Sequence, residues 1–392
     1  MTPGVPAFSG RLPVDIRFGE GAVAELAAAV RAEGARRAYV ILDAVAGDLP
    51  GVAGALAELE QEPVEVTTHV KTPGEPTSQE VDALSAALAE GEVDIVVAIG
   101  GGSVIDLAKG ARLALSAGVP YLTVAADLDL AASAPVLPLV AIPTTAGSGS
   151  EVSGGIVIAD EETHTKTGIA APFVRAQHAL VDPALTYGAP ATVTSWGGID
   201  ALAQAIAAMV TDSRKPIGTG IALEAIHLAA RALPTVVADG ENRAARQEMA
   251  CASLMAGLAM NISDCGSEHS LAMALGGRHG LPHGLTVGLV LAESMDVDRQ
   301  GAPELFERIA DALGEPGDDT HDGSRAVRGV QRILFEIDFP VLGAFGVDDS
   351  DVDDLAAAAL SDYFITLAPW TWTADDAAGV YRRALSLAGR SI

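Results

Sequence analysis

The sequence predicts an α/β N-terminal domain built on a parallel sheet, followed by an all-α C-terminal domain. In the first half of the chain, short apolar runs alternate with segments of helical spacing. Those runs are apolar throughout, which is typical of strands covered by helices on both faces. From Ser195 onward, long stretches rich in Ala and Leu follow helical spacing, with few β-branched runs. We therefore predict two domains, residues 1–187 and residues 188–392.

The apolar runs of the first half have the length and composition of buried strands. They lie at residues 38–42, 64–70, 93–99 and 136–142. Helical patterns follow the first three of them, at residues 51–59, at residues 78–89 and in a segment that ends near Ser116. Strands that alternate with helices in this way indicate a parallel sheet.

The second half predicts helices at residues 200–210, 221–237, 244–261 and 304–313. Two acidic stretches, residues 317–323 and 348–354, are expected to form solvated loops or helix starts. No helical pattern in this half alternates with an apolar run of strand type, so it should hold the all-α domain.

The charge of the chain excludes several classes of partner. Lys and Arg total 24 against 52 Asp and Glu, for a net charge of -28. Such a surface repels phosphate backbones and anionic lipids, so we expect neither nucleic-acid nor membrane binding. Two cysteines suit a reducing compartment, and the N-terminus lacks a secretory signal pattern. A cytoplasmic protein is the expectation.

A glycine-rich segment, GGGSVID, follows the third predicted strand at residues 100–106. Glycines allow a ligand to approach the backbone, and a helix N-terminus attracts an anion such as a pyrophosphate. Ser103 adds a hydrogen-bond donor. The segment departs from the pattern G-x-G-x-x-G at Ile105, and a tight structural turn is the alternative.

A second polar segment, PTTAGSGSEV, follows the next strand at residues 143–152. Ligands of open α/β sheets bind at the carboxyl ends of strands, so this segment is interpreted as the second wall of a cofactor cleft. An ordinary Ser/Gly loop is the alternative. Asp43 follows the first strand, where a carboxylate can bind an adenosine ribose and repel a 2′-phosphate, or simply form a turn.

Four polar residues of the second half could hold a metal. Asp200 and Gln204 are four apart and share a helix face. His269 and His283 follow on later segments. One carboxylate and two imidazoles can bind a divalent transition ion, and Gln204 could add an amide oxygen. Ordinary buried core residues are the alternative.

Taken together, these segments resemble the iron-containing (group III) alcohol dehydrogenases, and the resemblance covers nearly the whole chain. The matching stretches are IRFGEGAVAEL (16–26), GGGSVIDLAKG (100–110), IPTTAGSGSEVS (142–153), LVDPALT (180–186), GGIDALAQAI (197–206) and GLPHG (280–284). Each is weak alone, but all of them in this order are specific.

The resemblance implies a dehydroquinate synthase-like fold with an interdomain cleft. It also implies an NAD(H)-dependent oxidoreductase that interconverts a small alcohol and its aldehyde or ketone, with a divalent metal polarising the substrate oxygen. A homodimer is expected, and Asp43 favours NAD over NADP. Lys109 would support the fold. The cofactor-binding residues implied by position are Asp43, Gly101, Gly102, Ser103, Asp106, Thr144, Thr145, Ser148 and Lys166.

The chain departs from the family at two positions. Gln204 stands where the family has a histidine ligand, although Asp200, His269 and His283 match, so the metal is expected to be Fe or Zn, possibly Mn, or absent. Met273 stands where the family often has a histidine that relays a proton. His279, four residues before His283, is the alternative proton donor.

Several alternatives stay open at this stage. Gln204 and the Asn-Ile-Ser segment at 261–263 resemble phosphonoacetaldehyde reductases, but Asp264 and Glu268 would repel a phosphonate. A metal-independent, maleylacetate reductase-like enzyme is a further alternative, while the motifs favour alcohol dehydrogenases over glycerol-1-phosphate dehydrogenases and cyclases. The last alternative is a non-catalytic dinucleotide-binding homologue.

Overall fold

The computed structural model describes residues 14–386 except 133, 164 and 318, together with positions 8 and 12. Contacts within the chain divide it into two compact units, with a division between Ala189 and Pro190. The domain boundary predicted between residues 187 and 188 stays a prediction.

The first unit contains a six-stranded parallel sheet and a two-stranded antiparallel hairpin in its described residues. The strands are β1 Asp15–Phe18, β2 Arg37–Leu42, β3 Glu65–Val70, β4 Ile95–Gly100, β5 Leu139–Pro143, β6 Gly155–Asp160, β7 Thr165–Ala170 and β8 His178–Val181. The sheet order is β1-β8-β5-β4-β2-β3, and β6 pairs with β7. The predicted parallel sheet is confirmed, since every pair within it is parallel.

Helices cover both faces of this sheet. They are α1 Leu26–Ala32, α2 Val52–Leu59, α3 Ser78–Glu90, α4 Gly102–Ala117 and α5 Tyr121–Ala126, with short 3-10 helices at Ala22–Glu25, Ala46–Asp48, Leu128–Leu130, Pro172–Val174 and Pro183–Thr186. Alternate residues of β4 face opposite sides: Ile95 and Val97 pack with α1 and α2, whereas Val96 and Ala98 pack with α3 and α4. Burial on both faces explains why this strand is apolar at every position.

The hairpin of β6 and β7 and the strand β8 were not predicted. β7 has the sequence TKTGIA, which has too few apolar residues to resemble a buried strand. β6 is fixed by polar contacts to α4, since the backbone N–H of Val157 donates to Asp106 Oδ2 at 2.9 Å. Such long-range contacts cannot be deduced from a local pattern.

The second unit is helical, as predicted. Its helices are α6 Ala191–Val210, α7 Pro216–Ala238, α8 Arg243–Ser263, α9 Ser267–His279, α10 His283–Asp298, α11 Pro303–Ala312, α12 Ser324–Glu336, α13 Val352–Ser361 and α14 Ala374–Ser386, with 3-10 helices at Leu342–Phe345 and Phe364–Leu367. The described residues of the first acidic stretch form a loop, and the second stretch leads into α13.

Two helices of the second unit, α6 and α7, are long and apolar enough to cross a membrane by length and composition. Most of α6 is buried inside the fold, as expected for the core helix of a globular unit. Its buried face carries two of the predicted metal-binding residues, Asp200 and Gln204.

Candidate metal centre and glycine-rich cradle

The two polar segments of the first unit meet at the carboxyl edge of its sheet. β4 and β5 are paired neighbours, with Gly100 opposite Pro143. Just beyond them, the backbone N–H of Thr144 donates to the carbonyl of Gly100 at 3.1 Å. We call residues 100–103 and 144–148 the glycine-rich cradle. Its position is the one at which open α/β sheets bind ligands.

Gly102 lies so close to the second segment that a side chain would displace Ser148, and Gly101 leaves little room for one. A Cβ on Gly102 would lie 2.6 Å from Ser148 Oγ, and one on Gly101 would lie 3.3 Å from Thr145 Oγ1. The helix α4 begins at Gly102, and no side chain among the described residues caps it at Gly101. Its first N–H groups and the two hydroxyls therefore suit a phosphate-bearing ligand, as the sequence predicted.

Replacing Gly102 by alanine should weaken dinucleotide binding. The added Cβ would displace Ser148 and fill the space over the helix N-terminus. We expect the Kd for the dinucleotide to rise about tenfold, equivalent to about 1.4 kcal/mol. Titration of NADH fluorescence measures this, with Gly188→Ala as the control because a Cβ there meets nothing within 4 Å. Unchanged dinucleotide binding by Gly102→Ala would show that the cradle is not part of the cofactor site.

Asp43 lies at the same edge, directly after β2. Its Oδ1 accepts hydrogen bonds from the backbone N–H of Val45 at 3.0 Å and of Ala46 at 2.7 Å. Its Oδ2 lies 3.4 Å from Thr144 Oγ1. The carboxylate is thus a turn residue that also contacts the cradle, and its predicted contact with the ribose stays a prediction.

Asp106 and Lys109 of α4 hold the chain that directly follows the cradle's second segment. Asp106 accepts a hydrogen bond from Ser150 Oγ. The fully buried Lys109 donates to Ser150 Oγ at 2.7 Å and to the carbonyl of Gly155 at 2.9 Å. Burial lowers the pKa of Lys109 to about 8. This arrangement matches the supporting role expected for Lys109, and a direct contact of Asp106 with the cofactor stays a prediction.

Lys166 lies on β7. Along the chain it is outside both segments of the cradle. Its buried ammonium group pairs with Glu75 at 2.5 Å. Burial lowers the pKa of Lys166, although Glu75 opposes this effect. The predicted contact between Lys166 and the cofactor stays a prediction.

Three of the predicted metal ligands meet in the second unit. Asp200 comes from α6, His269 from α9 and His283 from the first turn of α10. One ligand atom from each lies within 4.8 Å of the others. Asp200 Oδ1 is 3.6 Å from His269 Nε2 and 3.7 Å from His283 Nε2, distances that leave room for an ion between them.

Gln204 lies one helical turn after Asp200 and joins this group. Its Nε2 donates to Asp200 Oδ2 at 3.1 Å. Asp200 Oδ1 and Gln204 Oε1 are buried and have no hydrogen-bond partner among the described residues. Unsatisfied buried acceptors are costly, and a bound cation would satisfy both. The donor set of these four residues therefore fits a divalent transition metal.

The imidazoles control the charge of Asp200. Burial pushes the pKa of this carboxyl upward, but His283 and His269 outweigh burial and lower the pKa below its usual range. Asp200 is consequently ionised and available as an anionic ligand at neutral pH.

His283 approaches Asp200 because α10 packs closely against α6. A Cβ on Gly284, the second residue of α10, would lie 2.5 Å from the backbone oxygen of Trp196 on α6. Glycine is therefore required for this approach, which explains the position of Gly284 directly after a ligand.

Sequence reasoning missed the surroundings of His269. Glu268 was expected to repel a phosphonate near the pocket, and its Oε1 lies 2.7 Å from His269 Nδ1, a contact that was not predicted. Cys265 is also buried here, and burial raises the pKa of its thiol. Phe364 lies with its ring 6.5 Å from that of His269. The only sequence signal for Glu268 and Cys265 is their nearness to a predicted ligand.

Among the described residues, His279 does not belong to the group formed by Asp200, His269 and His283. It ends α9, ten residues after His269, which corresponds to about 15 Å along the helix. Its Nε2 lies 3.6 Å from Asp351 Oδ2, next to α13. Met273, at the position expected for a relay histidine, is buried. The structure therefore gives no contact that supports His279 as the proton donor, and its predicted role stays untested.

Comparison with known proteins assigns both units to the same protein family. The family model described as iron-containing alcohol dehydrogenase matches residues 13–183, and the model for the C-terminal part of the Fe-containing alcohol dehydrogenase family matches residues 194–385. The probable alcohol dehydrogenase EutG of Escherichia coli (strain K12) is 33% identical over 367 residues, covering 93% of this chain and 92% of that protein.

Solved structures extend this similarity. A 1,3-propanediol oxidoreductase has a TM-score of 0.90 and 30% identity, covering 97% of this chain and 100% of that one. The sulfoacetaldehyde reductase of Bifidobacterium kashiwanohense, solved in complex with NAD+, has a TM-score of 0.86 and 27% identity, covering 97% of this chain and 99% of that one. The chain therefore belongs to the iron-containing alcohol dehydrogenase family, as an alcohol dehydrogenase or aldehyde reductase.

Proposed function

We propose that this enzyme uses NAD(H) and a divalent metal to interconvert a small alcohol and its aldehyde or ketone. The observation that carries the proposal is the group of Asp200, His269 and His283, with unsatisfied buried oxygens on Asp200 and Gln204. These four residues would hold the ion. When bound, a divalent cation acts as a Lewis acid that favours the deprotonated form of an alcohol.

Each described group has a distinct part in this reaction. The N–H groups at the start of α4, with Thr145 and Ser148, bind the pyrophosphate of the cofactor. Asp43 accepts hydrogen bonds from the adenosine ribose, and its charge repels a 2′-phosphate. Preference for NAD over NADP follows from that charge.

The metal of this proposal is Fe or Zn rather than a hard cation such as Mg. Two imidazoles favour a borderline transition ion, whereas Mg²⁺ prefers oxygen ligands and bound water. The amide of Gln204 is a weaker ligand than imidazole, so we expect weaker binding than a site with three histidines would give.

We also propose a cytoplasmic homodimer. The two free cysteines, Cys251 and Cys265, support a reducing environment. Similarity to the family supports the dimer.

Assays with metal-free and reconstituted protein test this function. Chelator-treated enzyme should be inactive, and Fe²⁺ or Zn²⁺ should restore NAD+-linked oxidation of 1,3-propanediol or a short primary alcohol. We expect kcat/KM with NAD+ to exceed that with NADP+ about tenfold, a difference of about 1.4 kcal/mol. Full turnover of an aldehyde with NADH by metal-free protein would instead indicate a metal-independent reductase.

A further inference from the structure

Glu268 is a buried carboxylate that contacts a metal ligand without belonging to the ligand group. Only 5% of its surface is exposed. Its Oε1 lies 2.7 Å from His269 Nδ1, and the same oxygen accepts a longer hydrogen bond of 3.4 Å from the backbone N–H of Gly266. A carboxylate oxygen accepts hydrogen bonds, and with Glu268 Oε1 as the acceptor the proton of this pair lies on His269 Nδ1.

This hydrogen bond decides which nitrogen of His269 can bind a metal. With its proton on Nδ1, a neutral imidazole has its lone pair on Nε2. Nε2 is the nitrogen that faces Asp200 Oδ1, at 3.6 Å. Glu268 therefore holds the ring in the tautomer and the orientation that metal binding needs.

The local backbone is built to accommodate this carboxylate. Glu268 lies in the first turn of α9, where the helix dipole stabilises a negative charge. A Cβ on Gly266 would lie 2.6 Å from Glu268 Oε2. Glycine at this position leaves the space that the carboxylate occupies.

The weak amide ligand gives this contact its importance. Gln204 supplies an amide oxygen, which binds a transition ion less strongly than the imidazole of the family does, and Asp200 is the one carboxylate among the four candidate ligands. A carboxylate behind a ligating histidine raises the basicity of that histidine and its affinity for the metal.

We propose that Glu268 positions His269 for the metal and strengthens it as a donor, which offsets the weaker binding by the amide of Gln204. This inference rests on the metal requirement of the proposed function. Glu268 acts through His269 and is a positioning residue.

Metal affinity of the full-length protein tests this inference directly. The dissociation constants for Zn²⁺ and Co²⁺ are measured by competition with a chromophoric chelator in the wild type and in Glu268→Gln. We expect 10- to 100-fold weaker binding in the variant. The absorption bands of bound Co²⁺ should also shift, because a neutral amide behind the ring makes His269 a weaker donor than a carboxylate does.

Glu293→Gln is the matched control, since Glu293 is another buried glutamate of the same unit and pairs with Arg383 at 2.6 Å. Its metal affinity should stay within about twofold of the wild type, which separates a specific effect from general loss of structure. Adding Gln204→His to Glu268→Gln should recover most of the lost affinity. Glu268→Asp, which keeps the charge but shortens the side chain, is the second variant if Glu268→Gln folds poorly, and it should also bind both ions more weakly than the wild type.

The outcomes separate this inference from the proposed function. Equal affinities in the wild type and Glu268→Gln, or equal losses in Glu268→Gln and Glu293→Gln, would overturn the role of Glu268 alone. If Glu268→Gln binds the ions more weakly but the wild type oxidises no alcohol, the role of Glu268 is supported and the proposed function is overturned. A wild type that takes up neither ion would overturn both.

Discussion

Replacing His269 by alanine should lower kcat/KM for alcohol oxidation about 1000-fold. The change removes one of three side chains that converge on the metal position. Lewis-acid stabilisation contributes several kcal/mol to a transition state, and each 1.36 kcal/mol changes a rate tenfold. Steady-state kinetics with NAD+ and a saturating divalent metal measure the effect, and His283→Ala should behave alike.

A matched control for this variant is His227→Ala. His227 lies on α7 of the same unit, with its side chain exposed. Its replacement should change neither metal content nor kcat/KM. The cofactor Kd should stay near the wild-type value in His269→Ala, because the cradle residues belong to the other unit. A His269→Ala enzyme with wild-type turnover would contradict a metal mechanism at this site.

Asp298 should make the protein less stable as the pH rises through neutrality. It ends α10 in a buried position, where Oδ2 accepts from Ser267 Oγ at 2.5 Å and Oδ1 from Trp372 Nε1 at 2.8 Å. Burial raises the pKa of Asp298 from 3.8 to about 7, and the nearby charge of Glu268 adds to this effect. The carboxyl is therefore protonated in the folded protein at mildly acidic pH.

The direction of the pH dependence follows from that raised pKa. Between about pH 4 and pH 7 the unfolded chain releases this proton while the folded chain keeps it, so the free energy of unfolding falls as pH rises. Asparagine resembles the protonated acid, since its oxygen can accept from Trp372 and its amide can donate to Ser267. At pH 8 we expect the free energy of unfolding of Asp298→Asn to exceed that of the wild type by up to about 4 kcal/mol.

Urea denaturation followed by Trp fluorescence at pH 5 and pH 8 measures this difference. Asp296→Asn, two residues earlier on the same helix, removes a half-exposed ion pair with Arg299 and serves as the control. An exposed pair contributes about 1 kcal/mol or less, so this control should show a small effect at both pH values. Equal stability differences between Asp298→Asn and wild type at both pH values would refute the raised pKa.

The fold was predictable where burial is complete. β2, β4 and β5 carry apolar residues on both faces, and this pattern identifies strands covered by helices without further information. β7 carries Thr and Lys at its start, and its place depends on pairing with β6. A local sequence pattern does not show which strands pair, so the hairpin was not predicted.

The candidate site shows a similar division. Asp200 and Gln204 could be predicted to share a face because they are four residues apart on one helix. Their meeting with His269 and His283 was expected from family resemblance, since no local rule connects α6, α9 and α10. The contact between Glu268 and His269 depends on where α9 begins and on the space left by Gly266. Sequence spacing determines neither.

The most direct test of this account is the metal content of the purified full-length protein after exposure to Fe²⁺ or Zn²⁺ and removal of loosely bound ions. Elemental analysis should find a single divalent ion per chain in the wild type and almost none when His269 and His283 are both replaced by alanine. A wild-type protein that retains no metal, yet reduces an aldehyde with NADH, would contradict the account.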